Sequence, residues 1–105
     1  MNFLNKFPIY YINLNKRVDR KNHIENLLNS NNMTNFTRIE SYDGDKLKTY
    51  ENLKVINEEN NCTSIYQQGC LFSHLKAIKT AYDNSDEFAF IIEDDLNIEY
   101  KNKWF

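Results

Sequence analysis

The amino-acid sequence predicts an α/β domain, an open sheet with helices packed against it. Three observations carry that expectation. Two short runs, "IYYINL" near the start and "EFAFIIE" near the end, are largely apolar, and the first is unbroken enough to fit a strand buried in a parallel sheet. Two longer stretches place apolar residues at helical intervals, one after the first run and one before the second. The chain of 105 residues has the size of a single domain, and with 41% apolar and 14% aromatic residues it has the side chains to fill a modest core.

The elements follow in order. Residues 9–14, just after the only proline, Pro8, form the first strand. In "KRVDRKNHIENLLNSNN", Val18, Ile24, Leu27 and Leu28 mark the apolar stripe of an amphipathic helix over residues 17–31. "FTRIESYDGD" alternates apolar and polar residues from Phe36 to Ile39, then turns at Asp43-Gly44, giving a second strand. This β-α-β unit demands a right-handed crossover and a parallel pair. Residues 46–68 read as a short helix or a loop. From Gly69, "GCLFSHLKAIKTAYDNS" places Leu71, Leu75, Ile78 and Tyr82 on one helical face, with Ser73 and His74 one step off it. "EFAFIIE" is the last strand, and it runs directly into Glu93, Asp94 and Asp95.

Composition excludes some classes of function. A net charge of -2 gives no electrostatic basis for binding nucleic acid. No segment is apolar for long enough to span a bilayer or to act as a signal peptide. Cys62 and Cys70 match neither a disulfide framework nor a zinc pattern, so free thiols and a cytoplasmic location are expected. Asn makes up about one residue in six, and Lys, Ile and Tyr are also frequent. All four have A/T-rich codons, so the bias points to an A/T-rich microbe or a large virus.

In open sheets of this kind ligands lie beyond the carboxyl ends of the strands, where the acids fall. Side chains alternate along a strand, which puts Glu93 and Asp95 on one face and Asp94 on the other. Hard divalent cations such as Mg²⁺ and Mn²⁺ take one or two carboxylates together with the phosphates of a substrate. The acid-x-acid spacing therefore suits a metal that grips a diphosphate. It equally suits a solvated acidic turn.

Four blocks, "YYINLNKRVDR", "IESYDGDKL", "GCLFSHLKA" and "FIIEDDL", occur in this order, and together they resemble glycosyltransferase family 25. That group includes lipopolysaccharide sugar transferases and procollagen galactosyltransferases. The residues that match are Ile12, Asn13, Leu14, Arg17 and Arg20, then Asp43 and Gly44, then Gly69, Cys70, Ser73 and His74, then Glu93, Asp94 and Asp95. The resemblance implies a GT-A-like, Rossmann-type domain that transfers a hexose, galactose first, from a UDP-sugar to a glycan or protein acceptor. Glu93, Asp94 and Asp95 would hold Mn²⁺ or Mg²⁺, with Asp95 the first choice as direct ligand. Asn13, Arg17 and Arg20 would lie at the nucleotide, a guanidinium pairing with phosphate. Asp43 would accept a hydrogen bond from a ribose hydroxyl, and Ser73 and His74 would complete the donor site.

Each assignment has a structural counterpart. Arg17 and Arg20 also fit a solvated first helical turn, Asp43-Gly44 a plain turn, and Ser73 and His74 a structural role at the sheet edge. Where the family has Gly-Glu before Gly-Cys, this chain has Tyr66-Gln67, an aromatic residue that would narrow the pocket or stiffen the loop. The family's domain runs roughly twice as far as Phe105. The resemblance thus implies a partial domain over residues 1–105, its acceptor site and catalytic base outside them and its sheet edge open to self-association. The alternative to an enzyme is a non-catalytic remnant that keeps nucleotide binding or an assembly role.

Overall fold

The computed structural model describes residues 7–50 and 64–96. Three strands, β1 (Ile9–Asn13), β2 (Phe36–Glu40) and β3 (Phe90–Glu93), form a parallel sheet in the order β2-β1-β3. Ile9 pairs with Phe36 on one side and with Phe90 on the other, so β1 is the central strand. All five of its residues are buried, which is why it reads as an unbroken apolar run.

Helix α1 (Val18–Ser30) and helix α2 (Ile65–Asp83) cover opposite faces. On the α1 side, Ile9 and Tyr11 of β1 pack with Ile24, Leu28 and Met33. On the α2 side, Tyr10 and Ile12 pack with Ile39, Ala77 and Ala81. The alternation of a single strand thus supplies both halves of the core. The strand order reverses at β1, because β2 lies on one side of it and the chain then crosses to place β3 on the other. Among the described residues, no helix is long and apolar enough to cross a membrane.

The first helix stands as the periodicity predicts, except that Val18, in its opening turn, is 59% exposed. In α2 the expected face is wrong. Leu71, Leu75, Ile78 and Tyr82 are exposed, and the buried residues are Gln68, Gly69, Ser73, Ala77 and Ala81. At roughly 100° per residue, the two stripes lie about 150° apart around the helix. Tyr10, Ile12 and Ile39 already fill the space above the sheet, so only a face of small side chains fits against them.

The helix also begins four residues earlier than expected. Ser64 Oγ accepts the Gln67 N–H at 3.1 Å, and the Gln67 side chain accepts the Ser64 N–H at 2.9 Å, a complete capping box. Residues 44–49, Gly44–Thr49, make a 3₁₀ turn, so the uncertain stretch opens as a short helix. Its centre, residues 51–63, lies outside the described residues. The last strand is shorter than "EFAFIIE", starting at Phe90.

Candidate functional site

The carboxyl ends of all three strands open on two adjoining hollows that share Leu14 and Ser41. One, of about 130 Å³, lies past β1 and β2 against Lys16, Asp43, Lys46 and Tyr50. The other, of about 160 Å³, lies between the ends of β1 and β3 and the first turns of α2, against Tyr66, Cys70, His74 and Glu93. This is the strand-order reversal, where open α/β sheets place their ligands.

Asn13, the last residue of β1, organises the rim. It is buried, and its Nδ2 donates to Asp94 Oδ2 at 2.8 Å and to the Arg17 carbonyl at 3.0 Å. Its Oδ1 accepts from Arg38 Nε at 3.0 Å. The amide therefore uses both donors and an acceptor, tying together the starts of the loops after β1 and β3 and the side of β2. Arg38 then reaches Asn15 Oδ1 at 2.7 Å and the Asn13 carbonyl at 3.1 Å.

The three acids do not form one cluster. Asp94 is buried, held by Asn13 and, at 3.6 Å, by Arg20. Glu93 is exposed and faces α2, with Cys70 Sγ 3.8 Å and His74 Nε2 3.9 Å from its Oε1. Glu93 and Asp94 thus diverge as strand alternation predicts. The expected pairing of Glu93 with Asp95 on a single face does not follow, because β3 ends at Glu93 and Asp94-Asp95 form a turn, where alternation no longer fixes direction. Asp95 is exposed, and its carboxylate has no partner among the described residues.

The other sequence-derived candidates occupy several environments. Arg17 makes a forked pair with Asp19 at 2.9 and 3.0 Å. That pair pulls the Asp19 carboxyl down to about 2. Arg20 turns to Asp94. Asp43 Oδ1 accepts the Asp45 N–H at 3.0 Å, and Lys16 stands 3.3 Å from its Oδ2. The backbone N–H first, then the Lys16 ammonium, hold its carboxyl below the usual value.

Ser73 is fully buried. Its hydroxyl donates to the Gly69 carbonyl at 2.7 Å, accepts the Tyr42 N–H at 2.9 Å and meets Ser41 Oγ at 3.0 Å. It joins α2 to the chain leaving β2. His74, on the next position round, borders the larger hollow.

Sequence reasoning passed over Arg38 and Lys16, and it named Cys70 as a free thiol matching the family pattern without giving it a role. Arg38 stands in "FTRIE" as an isolated charge, and nothing local links it to Asn13. Tyr66 and Gln67 now have physical roles. Gln67 closes the capping box, as a Glu there also does. Tyr66 donates to Asp45 Oδ1 at 2.7 Å and presses on Gly44, where an added Cβ would lie 2.7 Å from the Tyr66 ring. A Cβ on Gly69 would stand 3.1 Å from the Tyr42 carbonyl oxygen, so the two glycines let the 3₁₀ turn and α2 come close.

Burial, then the Glu93 carboxylate, push the Cys70 thiol up, and its sulfur is not in a disulfide.

The family model described as glycosyltransferase family 25 (LPS biosynthesis protein) matches residues 6–104. No curated protein and no solved structure matches the chain.

Proposed function

The chain belongs to glycosyltransferase family 25, and from that premise we propose that it binds a nucleotide sugar across the carboxyl ends of β1, β2 and β3. The observation that carries this reading is the joint between Asn13 and Asp94, which anchors the end of β3 where Glu93 borders the larger hollow and Asp95 follows in an exposed turn. The parallel sheet with a helix on each face supports a GT-A-like domain.

UDP-hexose, with galactose as the sugar, is the donor we favour. Lys16 and Lys46 border the smaller hollow and supply positive charge for a diphosphate. Arg17 stands beside Asn13 and pairs with the exposed Asp19, an acid that an incoming phosphate would displace, while Arg20 adds positive charge there and keeps its pair with the buried Asp94. Asp43, held ionised, is an acceptor for a ribose hydroxyl.

What supports a hard divalent cation at the end of β3 is that Glu93 and Asp95, two residues apart, are both exposed and free to turn toward an ion that a diphosphate brings. Mn²⁺ or Mg²⁺ held there would offset charge on the departing UDP. Asp94 acts differently, as a buried strut that sets the direction of its neighbours. The description of the family as LPS biosynthesis proteins supports a glycan acceptor. The free thiol of Cys70 accords with a reducing, cytoplasmic setting.

The test is calorimetric titration of UDP in the presence of Mn²⁺. Asp95→Ala should abolish the binding while leaving the unfolding midpoint unchanged, since that carboxylate has no partner among the described residues. Undiminished binding in Asp95→Ala would remove Asp95 from the metal site.

A further inference from the structure

Cys70 and His74 are four residues apart on α2, one above the other on the same helical face. Glu93 reaches toward both from the end of β3. One ligand atom from each of the three lies within 4.8 Å of the others. His74 Nε2, at 3.9 Å from Glu93 Oε1, is beyond hydrogen-bond range, and the thiol at 3.8 Å makes only a long S–H···O contact. The three groups converge without satisfying one another.

We propose that Cys70, His74 and Glu93 form a binding site for a thiophilic divalent ion, zinc, with its fourth position open to the larger hollow. A thiolate, an imidazole and one carboxylate are the ligand types zinc takes, whereas Mg²⁺ and Mn²⁺ avoid sulfur. Bond lengths of about 2.3 Å to sulfur and about 2.0–2.2 Å to nitrogen and oxygen place tetrahedral ligand atoms somewhat over 3 Å apart. The observed separations are wider by well under an ångström for the two contacts to Glu93. Cys70 and Glu93 are exposed and His74 is partly so, which leaves their side chains room to close that gap. Three protein ligands with a vacant fourth position is the arrangement of zinc sites that also bind a water or a ligand oxygen. Here the three residues line the hollow of about 160 Å³, whose wall also includes Tyr66 and Tyr42.

The site does not depend on the transferase reading. Glu93 is the one residue the zinc site shares with the proposed hard-ion site, so Asp95 and Cys70 separate the two.

The probe is Co²⁺, titrated into the purified chain with Cys62, which lies outside the described residues, replaced by Ser. The expected result is one equivalent bound, with a thiolate-to-cobalt charge-transfer band and tetrahedral d–d absorption, both removed by one equivalent of Zn²⁺. Cys70→Ser should lose the charge-transfer band, His74→Ala should weaken Co²⁺ binding about tenfold or more, and Asp95→Ala should retain both. Circular dichroism of each variant establishes that it is folded. A folded parent with no charge-transfer band, or a band that survives Cys70→Ser, overturns the proposal. Loss of Mn²⁺-dependent UDP binding in Asp95→Ala with the cobalt spectrum intact would show that the zinc site holds without Asp95, although both sites use Glu93.

Discussion

Asn13 and Asp94, at the ends of neighbouring parallel strands, are joined by a 2.8 Å hydrogen bond from Nδ2 to Oδ2, and both are buried. This bond bridges the point where the strand order reverses, so the rim of the crevice is built from inside the fold. A carboxylate in that position costs energy to desolvate unless it is bonded and paired. Asn13 supplies the bond and Arg20 the charge.

Replacing Asn13 with Leu should therefore be expensive despite the similar branched shape. Asp94 would keep only Arg20 at 3.6 Å, and the Arg17 carbonyl and Arg38 Nε would lose a partner each. A loss of about 2–3 kcal/mol is expected, read from the urea unfolding midpoint. A change below about 0.5 kcal/mol would mean that water replaces the amide.

The exposed and buried faces of α2 make opposite predictions. Leu75→Gln, on the exposed stripe, should change stability by no more than about 0.5 kcal/mol. Ala77→Leu forces a large side chain against Tyr10, Ile12 and Ile39 and should cost about 1–3 kcal/mol. Unfolding curves of the two variants decide the matter. The reverse order of effects would restore the face that hydropathy favours.

That contrast shows where sequence reading works in this chain and where it stops. The central strand was legible because burial on both faces leaves an apolar run that needs no partner to be recognised. Helix α1 was legible because Ile24 and Leu28 are both apolar and buried. In α2 the two criteria separate. The sheet's large side chains demand small neighbours, and a hydropathy stripe cannot sense the volume of what lies opposite.

The site divides similarly. The position of the acids at a strand end was legible from the run that precedes them. The roles were not, since Asp94 is assigned by Asn13, 81 positions earlier, and Ser73 by an amide 31 positions away. Arg38 gave no signal, because its partners are brought to it only by the pairing of β1 with β2.

Acid stability carries a signature of its own. The Tyr11 hydroxyl donates to Glu25, and Lys21 lies 3.3 Å from the same carboxylate. The hydrogen bond first, with Lys21 adding to it, holds the carboxyl below its ordinary value of 4.5. A depressed folded-state value means that this stabilisation is fully present above pH 4.5 and is lost as pH falls through the lower folded value. Glu25→Gln should thus be less stable at neutral pH and should show a flatter decline in stability below pH 4.5. Parallel acid profiles for parent and variant would contradict this.

The most direct test of the central claim, a nucleotide-sugar site at the strand ends, is thermal unfolding of the purified chain with UDP, with Mn²⁺ and with both. A ligand that binds only the folded state at a hundredfold excess over its Kd adds about 2.7 kcal/mol. The account predicts that UDP raises the midpoint when Mn²⁺ is present and leaves it unchanged when Mn²⁺ is absent. A folded chain whose midpoint does not respond to UDP under either condition would contradict it.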